Sequence, residues 1–124
     1  MPLVLIAVGG AAGATARYLV DTVISERANG AFPWGTLVVN VSGSLVLGVV
    51  FALAIEREVL PTSIRGPVFI GFIGAYTTFS TLMFESWRLI EGGAVGLGVA
   101  NLVGSSVIGM VALVGGLMLG RALV

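Results

Sequence analysis

The chain of 124 residues contains no cysteine, no histidine and no lysine, and only 10% of its residues are charged. Without cysteine there is no disulfide or thiol chemistry, and without histidine there is no imidazole proton relay and little prospect of a transition-metal site. A soluble domain carries roughly 25% charged residues. Because 57% of the residues are hydrophobic, the composition predicts an integral membrane protein. No linker-like stretch marks a second domain, so we expect one domain over residues 1–124.

Four apolar stretches are long enough to cross a bilayer, which takes about 20 residues each. They cover residues 3–24, 35–55, 64–89 and 94–123, and short segments rich in turn-forming and charged residues separate them. The first stretch has neither a basic start nor a convincing cleavage site, so we interpret it as a span and not as a signal peptide. The sequence predicts an all-α integral membrane protein with four transmembrane helices, multi-pass in the cell membrane.

The six arginines leave the orientation of this bundle open. Positive residues accumulate on the cytoplasmic side of a membrane protein. Three arginines fall on the side of the N-terminus and three on the other side, namely Arg57, Arg65 and Arg121 against Arg17, Arg27 and Arg88. Either the N-terminus or one strongly placed arginine decides the orientation, or the chain inserts both ways and pairs with an inverted copy.

The 19 glycines predict tightly packed helices. Gly9 and Gly13, like Gly116 and Gly120, stand four residues apart, a spacing that lets helix backbones approach closely in lipid. A single four-helix bundle is also too thin to enclose much of a pore. We therefore expect a small oligomer.

Polar residues recur every four positions in three of the spans, so each set shares one helix face. The sets are Thr36, Asn40 and Ser44 in the second span, Thr77 and Thr81 with Ser80 beside them in the third, and Asn101 and Ser105 in the fourth. Each hydroxyl alone is explained by a bond to the carbonyl one turn back, and Asn40 by an interhelical hydrogen bond. Three such sets in one small chain favour a shared polar pathway. The ring edge of Phe79 carries partial positive charge and could contact a small anion there.

Carboxylates are missing from the centres of the spans, since Asp21 and Glu85 lie nearer the ends. A proton-coupled carrier usually needs a carboxylate at mid-membrane depth. No general base or activated nucleophile is evident either, so we do not expect an enzyme. The pattern favours passive movement of a small ion along a neutral, hydrogen-bonding path.

Three sequence blocks resemble the signature blocks of the CrcB or Fluc family of fluoride channels. They are GGAAGATARY at residues 9–18, GTLVVNVSGSLVLG at 35–48 and GFIGAYTTFST at 71–81. They occur in the family's order, and the match covers nearly the whole chain. The resemblance implies an antiparallel, dual-topology dimer of four-helix subunits that exports fluoride passively from the cytoplasm and so relieves its toxicity. The expected partners are fluoride, a second subunit and the lipid bilayer, with no nucleic acid.

The resemblance also implies roles for individual residues. It places a break in the third helix at Gly74 to Thr78, where the backbone carbonyls of Gly74 and Thr77 from both subunits would hold a structural sodium ion at the dimer interface. Oxygen ligands suit a hard cation, and an unwound backbone supplies them. Asn40 would donate to fluoride, and Phe79 would offer its ring edge. The remaining polar lining would comprise Ser80, Thr81 and Ser105, while Arg17 would have a structural or electrostatic role.

Two residues depart from the family pattern. Leu82 stands where the family usually has a second phenylalanine, and Asn101 stands where it commonly has a tyrosine. The chain could therefore be a homodimer with a modified aromatic site, which we favour slightly, or a non-conducting or half-active subunit of a heterodimer with a paralogue. A small multidrug exporter fits less well because it needs a carboxylate in its first helix. A structural membrane subunit would not explain the polar sets.

Overall fold

Four membrane-length helices follow one another through short loops in the computed structural model, which describes residues 2–123. They are Leu3–Arg27 (α1), Trp34–Glu56, Thr62–Glu91 and Val95–Leu123 (α6), each long and apolar enough to cross a membrane. The second comprises Trp34–Phe51 (α2) and a π-helical turn, Ala52–Glu56. The predicted all-α membrane architecture is confirmed. Three of the four helices extend past their apolar stretches at one or both ends, because polar residues outside the hydrocarbon can continue a helix.

The third membrane-length helix is assembled from unequal pieces. Its first half comprises Thr62–Gly66 (α3), a π-helical stretch Pro67–Ile73, and Gly74–Tyr76 (α4), and its second half is Phe79–Glu91 (α5). A π-helix is rare and marks a place where the regular hydrogen-bond ladder is disturbed. The third membrane-length helix therefore departs from regular α-helix twice, in its π-helical stretch and again between α4 and α5.

The break itself is narrower than the predicted one at Gly74 to Thr78. Thr77 has a ψ of 154° and Thr78 a φ of −146°, so these two residues are extended, whereas Gly74 keeps helical angles. Gly74 remains helical because the N–H of Thr77 still donates to the carbonyl of Ile73, at 3.1 Å. The hydroxyl of Thr78 then accepts from the N–H of Thr81 and caps the start of α5.

Glycines permit the closest helix contacts within the subunit. A Cβ at Gly13 would collide with the main chain of Phe72, and one at Gly116 would collide with the carbonyl of Leu45. The helix α1 therefore packs on the first half of the third span, and α6 packs on α2. The glycine spacing correctly indicated close approach, and these glycines make that approach inside one subunit.

Arg17 lies inside α1, which continues to Arg27. Its Nε donates to the carbonyl of Ala75, at 3.3 Å, just before the helix break. This contact agrees with a structural role for Arg17.

Candidate functional site

The side chain of Asn40 completes the hydrogen bonding of the broken helix. Its Oδ1 accepts from the N–H of Thr78 at 2.8 Å, and its Nδ2 donates to the carbonyl of Thr78 at 3.0 Å. An unpaired backbone group at membrane depth costs several kcal/mol, so α2 supplies the partners that the helix has lost. Because a main-chain N–H only donates and a carbonyl only accepts, these bonds fix which way the amide points. One N–H of Asn40 Nδ2 is left over from this pair.

The same hydrogen bonds change the surroundings of the carbonyls before the break. In a continuous helix the N–H of Thr78 would donate to the carbonyl of Gly74, but here it donates to Asn40. The extended conformation of Thr77 turns its carbonyl away from the helix axis, while Arg17 covers the carbonyl of Ala75. The carbonyl oxygens of Gly74 and Thr77 are therefore released from the helical ladder.

These two oxygens are suitable ligands for a hard monovalent cation such as sodium, which binds oxygen atoms. Gly74 lies exposed on the surface of the subunit, where oxygens from a second subunit could approach. No group of three or more acidic, histidine or cysteine side chains within residues 2–123 forms a metal site. The donor set thus fits the sodium site that the sequence resemblance implied.

A cavity of about 350 Å³ opens beside the break. Its walls include three of the predicted pathway residues from three different spans, namely Asn40, Phe79 and Ser105, together with Thr77 and Leu82. The residues that line the cavity are all uncharged. The ring of Phe79 is 73% exposed in the isolated subunit, so it is free to face a ligand or a second subunit.

Two other predicted pathway residues do not line this cavity. Ser80 follows Phe79 on the exposed side of α5. The hydroxyl of Thr81 accepts from the hydroxyl of Thr78 at 2.9 Å and so belongs to the capping structure of α5. The structure thus groups Asn40 and Ser105 around the cavity and leaves Ser80 and Thr81 beside it.

Asn101 belongs to a buried chain of hydrogen bonds between α5 and α6. The Ser105 hydroxyl donates to Asn101 Oδ1 at 3.1 Å, Asn101 Nδ2 donates to Ser86 Oγ at 2.8 Å, and Ser86 donates to the Leu82 carbonyl at 2.7 Å. Ser86 was not among the residues predicted from the sequence. A polar partner of this kind could have been expected, because Asn101 lies inside an apolar helix and its amide needs a partner on a neighbouring helix.

A second pair joins α2 to α5 nearer the membrane edge. The hydroxyl of Thr36 donates to the Glu85 carboxylate, although the two residues are 49 positions apart. Ser44, the third member of the same set in α2, donates to the carbonyl of Asn40 in its own helix. Two of the three residues in this set therefore contact the third span.

The family assignment rests on a match that covers most of the chain. The family described as CrcB-like protein, Camphor Resistance (CrcB), matches residues 4–117. The chain belongs to the CrcB family. This CrcB chain is 47% identical over 119 residues to the fluoride-specific ion channel FluC of Maridesulfovibrio salexigens, covering 96% of this chain and 94% of that protein.

Two further relatives carry the same name. The FluC of Magnetococcus marinus is 38% identical over 121 residues, covering 98% of this CrcB chain and 98% of that protein. The FluC of Hahella chejuensis is 40% identical over 119 residues, covering 96% of this CrcB chain and 94% of that protein. The resemblance identified from the three sequence blocks is thus confirmed.

Proposed function

We propose that this protein is a channel through which fluoride leaves the cytoplasm passively. The observation that carries the proposal is the uncharged cavity beside the helix break, which both Asn40 and Phe79 line, in a chain whose relatives are named fluoride-specific ion channels. The cavity lies at a discontinuous helix, a common arrangement for ion sites in membrane proteins.

The spare N–H of Asn40 and the ring edge of Phe79 replace part of the water that fluoride loses. Both groups attract an anion through partial positive charge. Because neither carries a full charge, fluoride is held weakly enough to leave again, as conduction requires. Ser80 and Thr81 remain predicted parts of the pathway outside this cavity.

The working unit is proposed to be an antiparallel dimer. The exposure of the Phe79 ring and of Gly74 supports a second subunit that covers this face. In that dimer the carbonyls of Gly74 and Thr77 from both subunits would hold a sodium ion, which would fix the geometry of the two breaks without taking part in conduction. We take a homodimer as the working assumption, and a heterodimer with a paralogue as the alternative because Leu82 replaces an aromatic residue.

Single-cysteine labelling tests the topology directly, because the chain contains no cysteine of its own. Asn29→Cys and Val59→Cys place one thiol in loops at opposite ends of the bundle. In sealed vesicles a membrane-impermeant maleimide should label each variant from both sides in similar amounts. Labelling of each loop from one side only would exclude dual topology.

Reconstitution tests the function. The purified chain alone in liposomes loaded with potassium fluoride should release fluoride to an electrode when valinomycin is added. Release only after a paralogue is added would select the heterodimer. Failure under both conditions would contradict the channel.

A further inference from the structure

The buried chain from Ser105 to Leu82 has only one possible direction. The Leu82 carbonyl cannot donate, so Ser86 must donate to it. Ser86 Oγ then accepts from Asn101, which places Nδ2 of the amide toward Ser86 and Oδ1 toward Ser105. An oxygen at that position only accepts, so the Ser105 hydroxyl donates to it. A main-chain carbonyl in α5 thereby sets the direction of a hydroxyl in α6.

This direction matters because Ser105 also lines the cavity beside Asn40. A serine hydroxyl has one proton to donate and two lone pairs that accept. With its proton committed to Asn101, Ser105 offers only lone pairs to the cavity. Lone pairs repel an anion.

We propose that Asn101 is a positioning residue that holds the Ser105 hydroxyl proton away from the cavity. The inference rests on the proposed function, since it concerns how fluoride meets this wall. Ser105 contributes a donor to fluoride only when its bond to Asn101 breaks. Breaking that bond leaves Oδ1 of Asn101, which is 0% exposed, without a hydrogen-bond donor. An unsatisfied buried acceptor is unfavourable.

The variant Asn101→Leu removes the acceptor at similar side-chain volume. Ser86 keeps its bond to the Leu82 carbonyl, and Ser105 is left to bond the carbonyl one turn back, as Ser106 does to Leu102 at 2.8 Å. That carbonyl already accepts a helix N–H, so Ser105 can turn toward fluoride without leaving an unpaired group. Fluoride efflux from liposomes should therefore rise by about three- to tenfold.

If Asn101 acts through Ser105, the gain in fluoride efflux caused by Asn101→Leu must depend on Ser105. Asn101→Leu should give no gain over Ser105→Ala when it is made in the Ser105→Ala background. The matched control is Ser106→Ala, which should leave the gain intact: Ser106 also lines the cavity, but its hydroxyl donates to the main-chain carbonyl of Leu102 and not to Asn101. A gain that persists in the Ser105→Ala background, or a fall in efflux with Asn101→Leu, would overturn the proposal.

Thermal unfolding in detergent gives a readout that does not require conduction. The shifts in melting midpoint caused by Asn101→Leu and Ser105→Ala should be non-additive, whereas those of Asn101→Leu and Ser106→Ala should add. Additive shifts for the first pair would contradict the positioning role. If the unmodified protein releases no fluoride, the proposed function fails. The unfolding measurements would still test whether Asn101 and Ser105 are coupled through their hydrogen bond.

Discussion

Asn40 and Thr78 exchange two hydrogen bonds, from main-chain N–H to side-chain oxygen and from side-chain nitrogen to main-chain carbonyl. The amide of Asn40 thus replaces a peptide group at the point where the third membrane helix is interrupted. This one residue connects α2 to the break, pairs with the main-chain N–H and carbonyl of Thr78, and retains an N–H for the cavity. Structure and the proposed anion binding therefore depend on the same side chain.

Replacement of Asn40 by alanine should lower both stability and conduction. Asn40→Ala leaves the N–H and the carbonyl of Thr78 unpaired, at a cost of about 2–6 kcal/mol for the two groups. The melting midpoint in detergent should fall by several degrees, and fluoride efflux by at least about tenfold. The control for stability is Ser44→Ala, one turn along the same helix, where the lost bond lies within α2 and the melting midpoint should change little. An unaltered melting midpoint for Asn40→Ala would contradict the role assigned to the amide.

The ring of Phe79 should matter for conduction and little for folding of the subunit, because it is 73% exposed. Phe79→Ile keeps an apolar side chain but removes the partial positive ring edge. We expect fluoride efflux to fall at least about tenfold with a near-normal melting midpoint. Phe84→Ile is the matched control, since Phe84 lies in the same helix, is 62% exposed and does not line the cavity. Equal losses in the two variants would argue against a specific contact at Phe79.

Hydropathy was sufficient to predict the four spans, because it depends on residues close together in the chain, whereas the break in the third span was predicted from the family resemblance. Periodicity also placed Asn40 and Ser105 on polar faces. It could not show which face meets which helix, so the bond between Thr36 and Glu85, 49 positions apart, and the contribution of Ser86 were missed.

The contact between α2 and α6 should tolerate no side chain at Gly116. A Cβ there would collide with the Leu45 carbonyl, and since a main-chain atom cannot rotate away, Gly116→Ala should cost about 1–3 kcal/mol. Gly115→Ala is the matched control because its Cβ would meet no atom within 4 Å. That control should be neutral or gain up to about 1 kcal/mol from helix propensity. Similar melting midpoints for both variants would contradict the packing described for these helices.

Removal of sodium should destabilise the protein if the carbonyls of Gly74 and Thr77 bind it. A ligand present at a hundred times its Kd stabilises the folded state by about 2.7 kcal/mol. Purification in N-methyl-D-glucamine should therefore lower the melting midpoint, and sodium should restore it in a saturable manner. Potassium at equal ionic strength serves as the control and should restore it less. Identical midpoints in all three solutions would remove the basis for a structural sodium ion.

Fluoride efflux from liposomes that contain the purified chain alone tests the central claim most directly. The vesicles hold potassium fluoride, and the outside solution contains neither ion. Passive movement of a bare anion builds up a voltage, so efflux should begin only when valinomycin lets potassium follow, and chloride in place of fluoride should give no comparable release. Release no faster than from protein-free vesicles, or equally fast without valinomycin, would contradict a passive fluoride channel.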